Sequence, residues 1–250
     1  MKNIVGKIYL FVFIAFSFVA CKNTGGEQVQ SPLMKVEGES LTYVLPSPLT
    51  DGTVSVEQAL VNRRSQRNFV DRAISAEQLS QILWAAYGIT DPKPDRPALR
   101  GGLRAAPSAG ALYPFEIYVI VGKVNGIEAG VYRYVSEEHK IVRTIAKDLR
   151  EELSAAASGQ KMIKEAPATI AYSAIFSRMT TKYGDRGRER YVCMDLGHSS
   201  QNVYLQAEAL NLGTCAMGAF IDDKVAEVLQ LAEEEEPLYL MPVGYYYRQP

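Results

Sequence analysis

The chain has 250 residues, of which 47% are hydrophobic and 22% are charged, and its 27 basic and 28 acidic side chains give a net charge of −1. A balance this even supplies no global electrostatic field for nucleic acid, so nucleic-acid binding is not expected. Without a leader segment, about two hundred residues remain, a length that suits one domain with a single hydrophobic core.

The first 20 residues have the pattern of an export signal. Lys2 and Lys7 give a positively charged start, and an almost unbroken apolar run covers residues 8–20. At ~1.5 Å rise per residue this run spans ~20 Å, too short for a ~30 Å hydrocarbon core and suited to a signal peptide. The run ends at Cys21 in a sequence similar to a bacterial lipobox, which predicts lipidation of Cys21 and anchoring to a membrane on the non-cytoplasmic side of the cell envelope. An ordinary secretory peptide and an uncleaved anchor are the alternatives.

The rest of the chain divides into a tether and one domain. Residues 21–45 are polar and show no hydrophobic period, so they are predicted to be a flexible tether ahead of a domain at 46–250. Cys193 and Cys215 lie in the domain without His or Cys at metal-ligand spacing, so no zinc site is expected. A disulfide between them and two free thiols both remain open.

The domain alternates helix and strand patterns. Ser55 and Ser75 each stand three residues before a glutamine, a spacing typical of the first residues of a helix. The first helix is predicted to run to about Arg64, and the second to end at Gly88 as a C-cap. Prolines and charges predict a surface loop over 90–102. The further predicted elements are strands at 115–121, 130–135, 140–145, 167–173, 214–219 and 238–244, a helix at 148–158 and a helix capped by Asp222.

The longest predicted helix runs from Arg188 to Leu212 and has two apolar stripes. One stripe consists of Val192, Leu196, Val203 and Leu210, and the other of Met194, Leu205, Ala209 and Leu212. A helix that is apolar on two sides is expected to be buried on two sides, either centrally or against a second subunit. The irregular order of elements predicts an α+β fold with a central mixed sheet flanked by helices.

Three segments combine residue types that suit cofactor binding. Arg63, Ser65 and Arg67 place guanidinium forks and a hydroxyl at a helix end, which suits phosphate oxygens, although a solvated basic helix end is the alternative. The small residues of 105–114 allow close approach of the backbone to a flat ring, although a plain loop has the same composition. The glycine-rich segment 211–220 follows the long helix and could offer backbone amides, or form an ordinary helix cap and strand.

A serine hydrolase with Ser108 as nucleophile is a further alternative. Residues 106–110 differ by one position from the Gly-x-Ser-x-Gly nucleophile elbow. That elbow follows a strand and begins a helix, whereas this segment precedes a predicted strand. The sequence therefore favours a cofactor-binding loop over a nucleophile.

In this order and spacing, Arg-Arg-Ser-x-Arg at 63–67, Pro-Ser-Ala-Gly-x-Leu-Tyr-Pro at 107–114 and Gly-Ala-Phe at 218–220 resemble the nitroreductase family of FMN enzymes. The likeness is greatest to its SagB-type branch, which includes the dehydrogenases of thiazole- and oxazole-forming peptide pathways. It covers about residues 54–250 and implies a nitroreductase-like fold. It also implies a homodimer with FMN bound at the subunit interface and the long helix in the core of that interface.

The resemblance implies a role for each arginine of the motifs except Arg64, which is left on the helix surface. Arg63 and Ser65 would hold the FMN phosphate, together with Arg248 near the end of the chain. Arg67 would lie toward the pyrimidine edge of the ring, where its positive charge would stabilise the negative charge that develops on reduction.

The remaining implied contacts surround the flavin ring. Gly218 and Ala219 would present backbone amides near the N5 atom, and Gln160 or Lys161 would reach the polar edge of the ring. Four residues would pack along the ring from the partner subunit, namely Pro107, Ser108, Ala109 and Gly110.

The implied reaction is a ping-pong hydride transfer through flavin N5 that acts on a small organic substrate with a separate electron donor or acceptor. Nicotinamide donors are scarce outside the cytoplasm, so the export signal favours another donor, or an oxidase that passes electrons to oxygen or a quinone. A non-catalytic flavin- or ligand-binding lipoprotein with the same fold is the alternative.

Overall fold

The computed structural model describes residues 33–36, 38 and 40–247. The predicted signal peptide, the lipidation of Cys21 and the contact assigned to Arg248 lie outside these residues. No helix in the described part of the chain is long and apolar enough to cross a membrane. The strands are β1 (Met34–Val36), β2 (Thr42–Val44), β3 (Ile89–Pro92), β4 (Gly102–Arg104), β5 (Phe115–Val121), β6 (Gly130–Val135), β7 (Lys140–Ile145), β8 (Ala168–Ile175), β9 (Gly213–Thr214) and β10 (Glu235–Gly244). The helices are α1 (Val56–Asn62), α2 (Ala76–Tyr87), α3 (Arg150–Ala156), α4 (Lys161–Glu165), α5 (Ser177–Tyr183), α6 (Val192–Ala209) and α7 (Asp222–Leu229).

An eight-stranded sheet forms the centre of the domain, in the order β1-β2-β7-β6-β5-β8-β10-β9. The predicted α+β class is confirmed, with one correction to the sheet. Every pairing between its named strands is antiparallel rather than mixed, and parallel pairing among the described residues occurs only at isolated bridges, Ser65 with Thr214 and Ile74 with Val124. Hairpins join β1 to β2, β5 to β6 and β6 to β7, whereas the other neighbouring strands are connected through helices or longer segments.

The sheet is covered by helices on both faces, because β5 alternates its side chains between two hydrophobic clusters. Phe115, Ile117 and Val119 lie in the cluster that contains the buried residues of α2 and α6. Tyr118 and Ile120 lie in the cluster that contains those of α3, α4 and α7. The central strand is therefore buried on both sides, and α6 is held against one of them.

The predicted tether is wrong for its described second half, which belongs to the sheet. β2 pairs with β7, and β1 pairs with β2. Leu41, Tyr43 and Leu45 are buried, and the Tyr43 hydroxyl accepts the backbone N–H of Glu128 at 3.2 Å. The prediction missed these strands because three residues are too few to show a hydrophobic period. Since both strands belong to the sheet, the domain begins earlier than residue 46.

The other differences from the predicted elements are local. The segment predicted as a loop over 90–102 contains most of the hairpin of β3 and β4. Of the strand predicted at 214–219, only Thr214 lies in a named strand, which is β9. Asp222 is the first residue of α7 rather than its cap, because Ile221 holds the N-cap position. Cys193 is exposed and Cys215 is buried, and both are free thiols.

The long predicted helix begins as a π-helical turn at Gly187–Tyr191 and continues as α6 to Ala209. Within the described chain it is buried on one face, because Val192, Leu196 and Val203 are buried whereas Met194 is 54% exposed. Two members of the second predicted apolar stripe therefore differ in environment. Met194 is exposed to solvent, whereas Leu212 lies beyond the end of the helix and is buried.

Gly88 ends α2 for a steric reason rather than a conformational one. A capping box begins the helix, with Ser75 and Gln78 bonded reciprocally at 3.2 and 2.9 Å. At the other end Gly88 has φ −67° and ψ 155°, which any residue can adopt, and not the left-handed conformation expected of a glycine C-cap. A Cβ at this position would lie 2.3 Å from Trp84 Cδ1 and 2.8 Å from Trp84 Cα.

Gly88→Ala should therefore destabilise the domain by about 1–3 kcal/mol, because the new methyl group must displace the last turn of α2. The measurement is the free energy of unfolding in a denaturant titration. Gly52→Ala is the matched control, since a Cβ there meets nothing within 4 Å. Equal stability of the two variants would contradict the steric explanation.

Candidate functional site

The first motif lies where α1 ends. Arg63 occupies the C-cap position, and its guanidinium carbon lies 5.4 Å from the centre of the Tyr204 ring. The Ser65 hydroxyl lies 3.1 Å from the Tyr204 hydroxyl, so α6 holds both side chains. In the described part of the chain neither Arg63 nor Arg67 forms an ion pair. Their charges remain available for an anionic ligand.

Arg64 has a different environment from Arg63. Its guanidinium donates to the carbonyl oxygens of Val61 at 3.0 Å and Arg63 at 2.8 Å. These are carbonyls at the end of α1, where a cation is favoured by the helix dipole. Arg64 therefore caps its own helix, as expected of a helix-surface residue.

The third motif lies beside the first. The Tyr204 hydroxyl that contacts Ser65 also accepts the backbone N–H of Ala216 at 2.8 Å, and the N–H of Gln66 donates to the carbonyl of Thr214 at 2.9 Å. Two segments about 150 residues apart therefore meet at one end of α6. The Thr214 hydroxyl is buried nearby and has no hydrogen-bond partner among the described residues.

Gly218 and Ala219 form a short exposed segment, called the Gly218–Ala219 crossing, whose backbone N–H groups are not hydrogen-bonded within the described residues. The chain pairs with β10 at Met217 and is bonded again at Ile221, whose N–H donates to the carbonyl of Ala156 at 3.1 Å. Between these points the backbone N–H groups of Gly218 and Ala219 make no hydrogen bond to the described residues. Two free donors on an exposed backbone suit an electron-rich edge of a ligand.

The second motif is fixed at the other end of α6. The Ser108 hydroxyl donates to Asp195 Oδ2 at 2.6 Å and accepts the backbone N–H of Tyr113 at 3.0 Å. The N–H of Ala109 also donates to Asp195, at 3.1 Å to Oδ1. Ser108 is thus a turn-locking residue whose hydroxyl bonds to a carboxylate, with no histidine base in its hydrogen bonds. This geometry contradicts the serine-hydrolase alternative, and it leaves Pro107 and Gly110 exposed.

Asp195 is a buried carboxyl that holds this turn. Burial raises the pKa of Asp195 above its usual 3.8, and the hydrogen bonds from Ser108 and Ala109 and the proximity of His198 oppose that rise. A raised pKa in the folded state means that folding favours the protonated form. The contribution of Asp195 to stability is therefore largest in acid and falls as pH rises through its folded pKa.

Asp195→Ala should lower the free energy of unfolding by about 2 kcal/mol at neutral pH, because the Ser108 hydroxyl and the Ala109 N–H lose their acceptor. Asp195→Asn is the matched variant, since its amide oxygen still accepts both bonds and carries no charge to bury. It should match or exceed the native stability at pH 7 and show a smaller decline between pH 4 and 7. Denaturant titrations at several pH values measure this, and two equally destabilised variants would be inconsistent with the assigned role.

Lys182 and Tyr183 adjoin the second motif and were not predicted from the sequence. A Cβ added at Gly110, whose φ is +63°, would lie 2.6 Å from the Tyr183 hydroxyl and 2.8 Å from Lys182 Nζ. The Lys182 amine also lies 5.2 Å from the centre of the Tyr183 ring. An exchangeable hydroxyl and an amine therefore stand beside the exposed loop. Helix α5 and this loop are about 70 residues apart, so no motif spacing joined them.

Gln160 and Lys161 lie at the beginning of α4. Gln160 is the N-cap of α4, its carbonyl accepts the Ser154 hydroxyl at 2.9 Å, and Lys161 is exposed as the first helical residue. The same α3–α4 region bonds to Ile221 through Ala156, close to the Gly218–Ala219 crossing. Their implied contact with a flavin edge stays a prediction.

Comparisons with known proteins identify the family to which the domain is similar. Residues 60–245 match the model described as the nitroreductase family. A provisionally named nitroreductase of Methanocaldococcus jannaschii is 46% identical over 191 residues, which are 76% of this chain and 91% of that protein. The trifolitoxin-processing protein TfxB of Rhizobium leguminosarum is 33% identical over 84% of this chain, which spans only 58% of TfxB. The crystal structure of a provisionally named nitroreductase from Ralstonia eutropha superposes with a TM-score of 0.70 at 28% identity, covering 88% of this chain and all of that one.

Proposed function

The chain belongs to the nitroreductase family, and from that premise we propose that it is an FMN-dependent oxidoreductase. One observation carries the proposal. The uncommitted guanidinium of Arg63 and the uncommitted amides of Gly218 and Ala219 lie on segments that are both bonded to the Tyr204 hydroxyl. Cationic forks suit a phosphate, and free amides suit an electron-rich ring edge, so these donors fit two ends of one flavin nucleotide.

The roles of the binding residues follow from their donors. Arg63 and Ser65 would hold the FMN phosphate, together with Arg248. Arg67 would stabilise negative charge on the pyrimidine edge, and Gly218 and Ala219 would donate their N–H groups to the electron-rich edge at N5. When bound, FMN would supply hydride acceptance and donation at N5.

A dimer is part of the proposal because the first and second motifs contact α6 at different positions along its length. Ser108 is bonded at Asp195 and Ser65 at Tyr204, nine residues farther along α6. At ~1.5 Å per residue this separation is ~14 Å along the helix axis. A two-fold axis across α6 would bring the loop at 107–110 of the partner subunit toward Ser65, giving two equivalent sites for each homodimer.

Lys182 and Tyr183 supply the proton chemistry in this proposal. Both contact the loop at Gly110 that faces the proposed ring. The Tyr183 hydroxyl would relay a proton between solvent and a substrate held over that loop, releasing its own proton as it takes one up, with the Lys182 amine beside it. A small organic substrate then gives or accepts hydride in a ping-pong sequence, in which donor and acceptor use the same open face.

The proposed direction is dehydrogenation rather than nitro reduction. TfxB is named as a trifolitoxin-processing protein, and a processing role fits oxidation of a substrate better than detoxification of a nitro compound. The proposed location, with Cys21 lipidated on the non-cytoplasmic side of the envelope, points the same way because nicotinamide donors are scarce there. Oxygen or a quinone would accept the electrons.

The decisive experiment is an absorption spectrum, and a mass measurement of any released cofactor, for a purified tagless chain from residue 33 onward. We expect a yellow protein that releases FMN in about equimolar amount on denaturation. A colourless protein that does not bind added FMN would refute the proposal. FMN that binds but cannot be reduced and reoxidised in turnover would favour the non-catalytic alternative instead.

A further inference from the structure

A small basic cavity lies between the end of α2, the first residues of β5, the last residues of β6 and the beginning of α5. Its volume is about 230 Å³. At about 30 Å³ for each water molecule in the liquid, this is room for a small polar ligand. The charged residues that line it are Arg100, Arg104, Arg133, Arg178, Glu116 and Glu137.

The cations of this cavity outnumber its anions. Glu116 is the shared partner of three arginines, with nitrogen–oxygen distances of 2.7 Å to Arg178, 3.6 Å to Arg133 and 3.7 Å to Arg100. The fourth arginine, Arg104, pairs with Glu137 at 3.3 Å. Four guanidinium groups against two carboxylates leave a local charge of +2, that is 4 − 2.

Two guanidinium nitrogens of the cavity residues are buried without a partner. The Arg104 side chain is 0% exposed, and its Nε makes no hydrogen bond to the described residues. Arg178 Nη1 is likewise buried and unpaired among them. Burial, and next the nearby Arg178, lower the pKa of Arg100. A purely structural ion-pair network would match each buried donor with an acceptor, because an unmatched one is costly.

Further contacts fix the orientation of two of these arginines, Arg104 and Arg100. Arg104 donates to the Tyr87 carbonyl at 3.0 Å and lies over the Tyr87 ring, 4.4 Å from its centre. Arg100 donates to the carbonyl of Tyr113 at 2.9 Å. Both guanidinium groups are therefore oriented by fixed backbone acceptors, and a ligand would not need to order them.

We propose that this cavity binds a small dianionic ligand, either a phosphate group or a dicarboxylate. The charge of −2 on such a ligand balances the local charge of +2, and its oxygens suit the forked geometry of guanidinium donors. Arg178 lies four residues before Lys182 on α5, so the two side chains share one face of that helix at a separation of about 6 Å. The anion site therefore borders the loop at Gly110 without depending on flavin.

Calorimetric titration of the purified protein, as isolated and at constant ionic strength, tests the proposal with two probes. Inorganic phosphate and succinate represent the two ligand shapes, and the tighter one identifies the class. We expect saturable binding of at least one probe. Arg178→Gln and Arg133→Gln should each weaken it by at least tenfold, and both side chains are partly exposed, which limits the risk to folding.

Arg188→Gln is the matched control. Arg188 is a half-exposed arginine that pairs with Glu236 at 2.6 Å, outside the cavity, so its loss should leave anion binding unchanged. Absence of binding of both probes at millimolar concentration would overturn the proposal. So would equal affinity in the native protein and in whichever cavity variant folds. The flavin content is read from the same samples, so failure of the anion site and failure of FMN binding are separate results.

Discussion

Arg63→Ala should weaken FMN binding by about 10- to 100-fold while leaving the fold intact. A hydrogen bond to a charged group contributes about 1.5–3 kcal/mol, and each 1.4 kcal/mol is a factor of ten in the dissociation constant. In the described part of the chain the only contact of the Arg63 guanidinium that competes with a ligand is the Tyr204 ring, 5.4 Å away. The measurement is the quenching of flavin fluorescence as the apoprotein is titrated into FMN.

Arg64→Ala is the control for this prediction because it removes the same charge from the adjacent position. Its guanidinium is already bonded to two carbonyl oxygens at the end of α1, so it should contribute to helix stability and not to phosphate binding. FMN affinity should change less than threefold. Equal losses in the two variants would indicate that only the net positive charge of this region matters, and the phosphate assignment of Arg63 would be wrong.

The sequence predicted the strands of the central sheet well where the pattern was long. The strand at 115–121 and the hairpin at 130–135 and 140–145 have the predicted bounds, because β-branched and aromatic residues fill all of their buried positions except Gly130. The prediction failed for β1 and β2, which have three residues each and lie within a polar stretch of the sequence. These short strands form because β2 pairs with the free edge of β7. That edge exists only in the folded domain, so no local sequence pattern reports it.

The sequence predicted individual donor residues of the site, but it did not predict the contacts that bring their segments together. Arg63, Ser65 and the glycine-rich segment were recognisable as donors, and the structure brings these segments together. Tyr204 joins them with its hydroxyl, yet in the sequence it is one more aromatic residue on a helix. Asp195 was equally hidden, because a buried carboxyl has no pattern until the turn that it binds is known. Contacts between distant segments depend on packing, which periodicity does not report.

The exposed face of α6 decides whether the site is built from two chains. Met194 is 54% exposed, and its neighbours Cys193, Gly197 and His198 are also exposed. None of the four is a lysine, arginine, aspartate or glutamate, and the core of a protein interface is depleted of those residues. A long helix that presents an uncharged face to solvent is therefore the expected contact of the proposed dimer.

Met194→Glu should convert the dimer to monomers and remove FMN binding with it. An unpaired carboxylate in an interface costs several kcal/mol, and two-fold symmetry places it there twice, so the dimer dissociation constant should rise by at least about 100-fold. Sedimentation velocity measures the mass, and absorbance at the flavin band in the same run measures the bound cofactor. Met34→Glu is the matched control, since Met34 is 53% exposed on the edge strand β1, away from α6. A Met194→Glu monomer that still binds FMN tightly would show that the site is complete within one chain, because the loop at 107–110 of a second subunit would then be unnecessary.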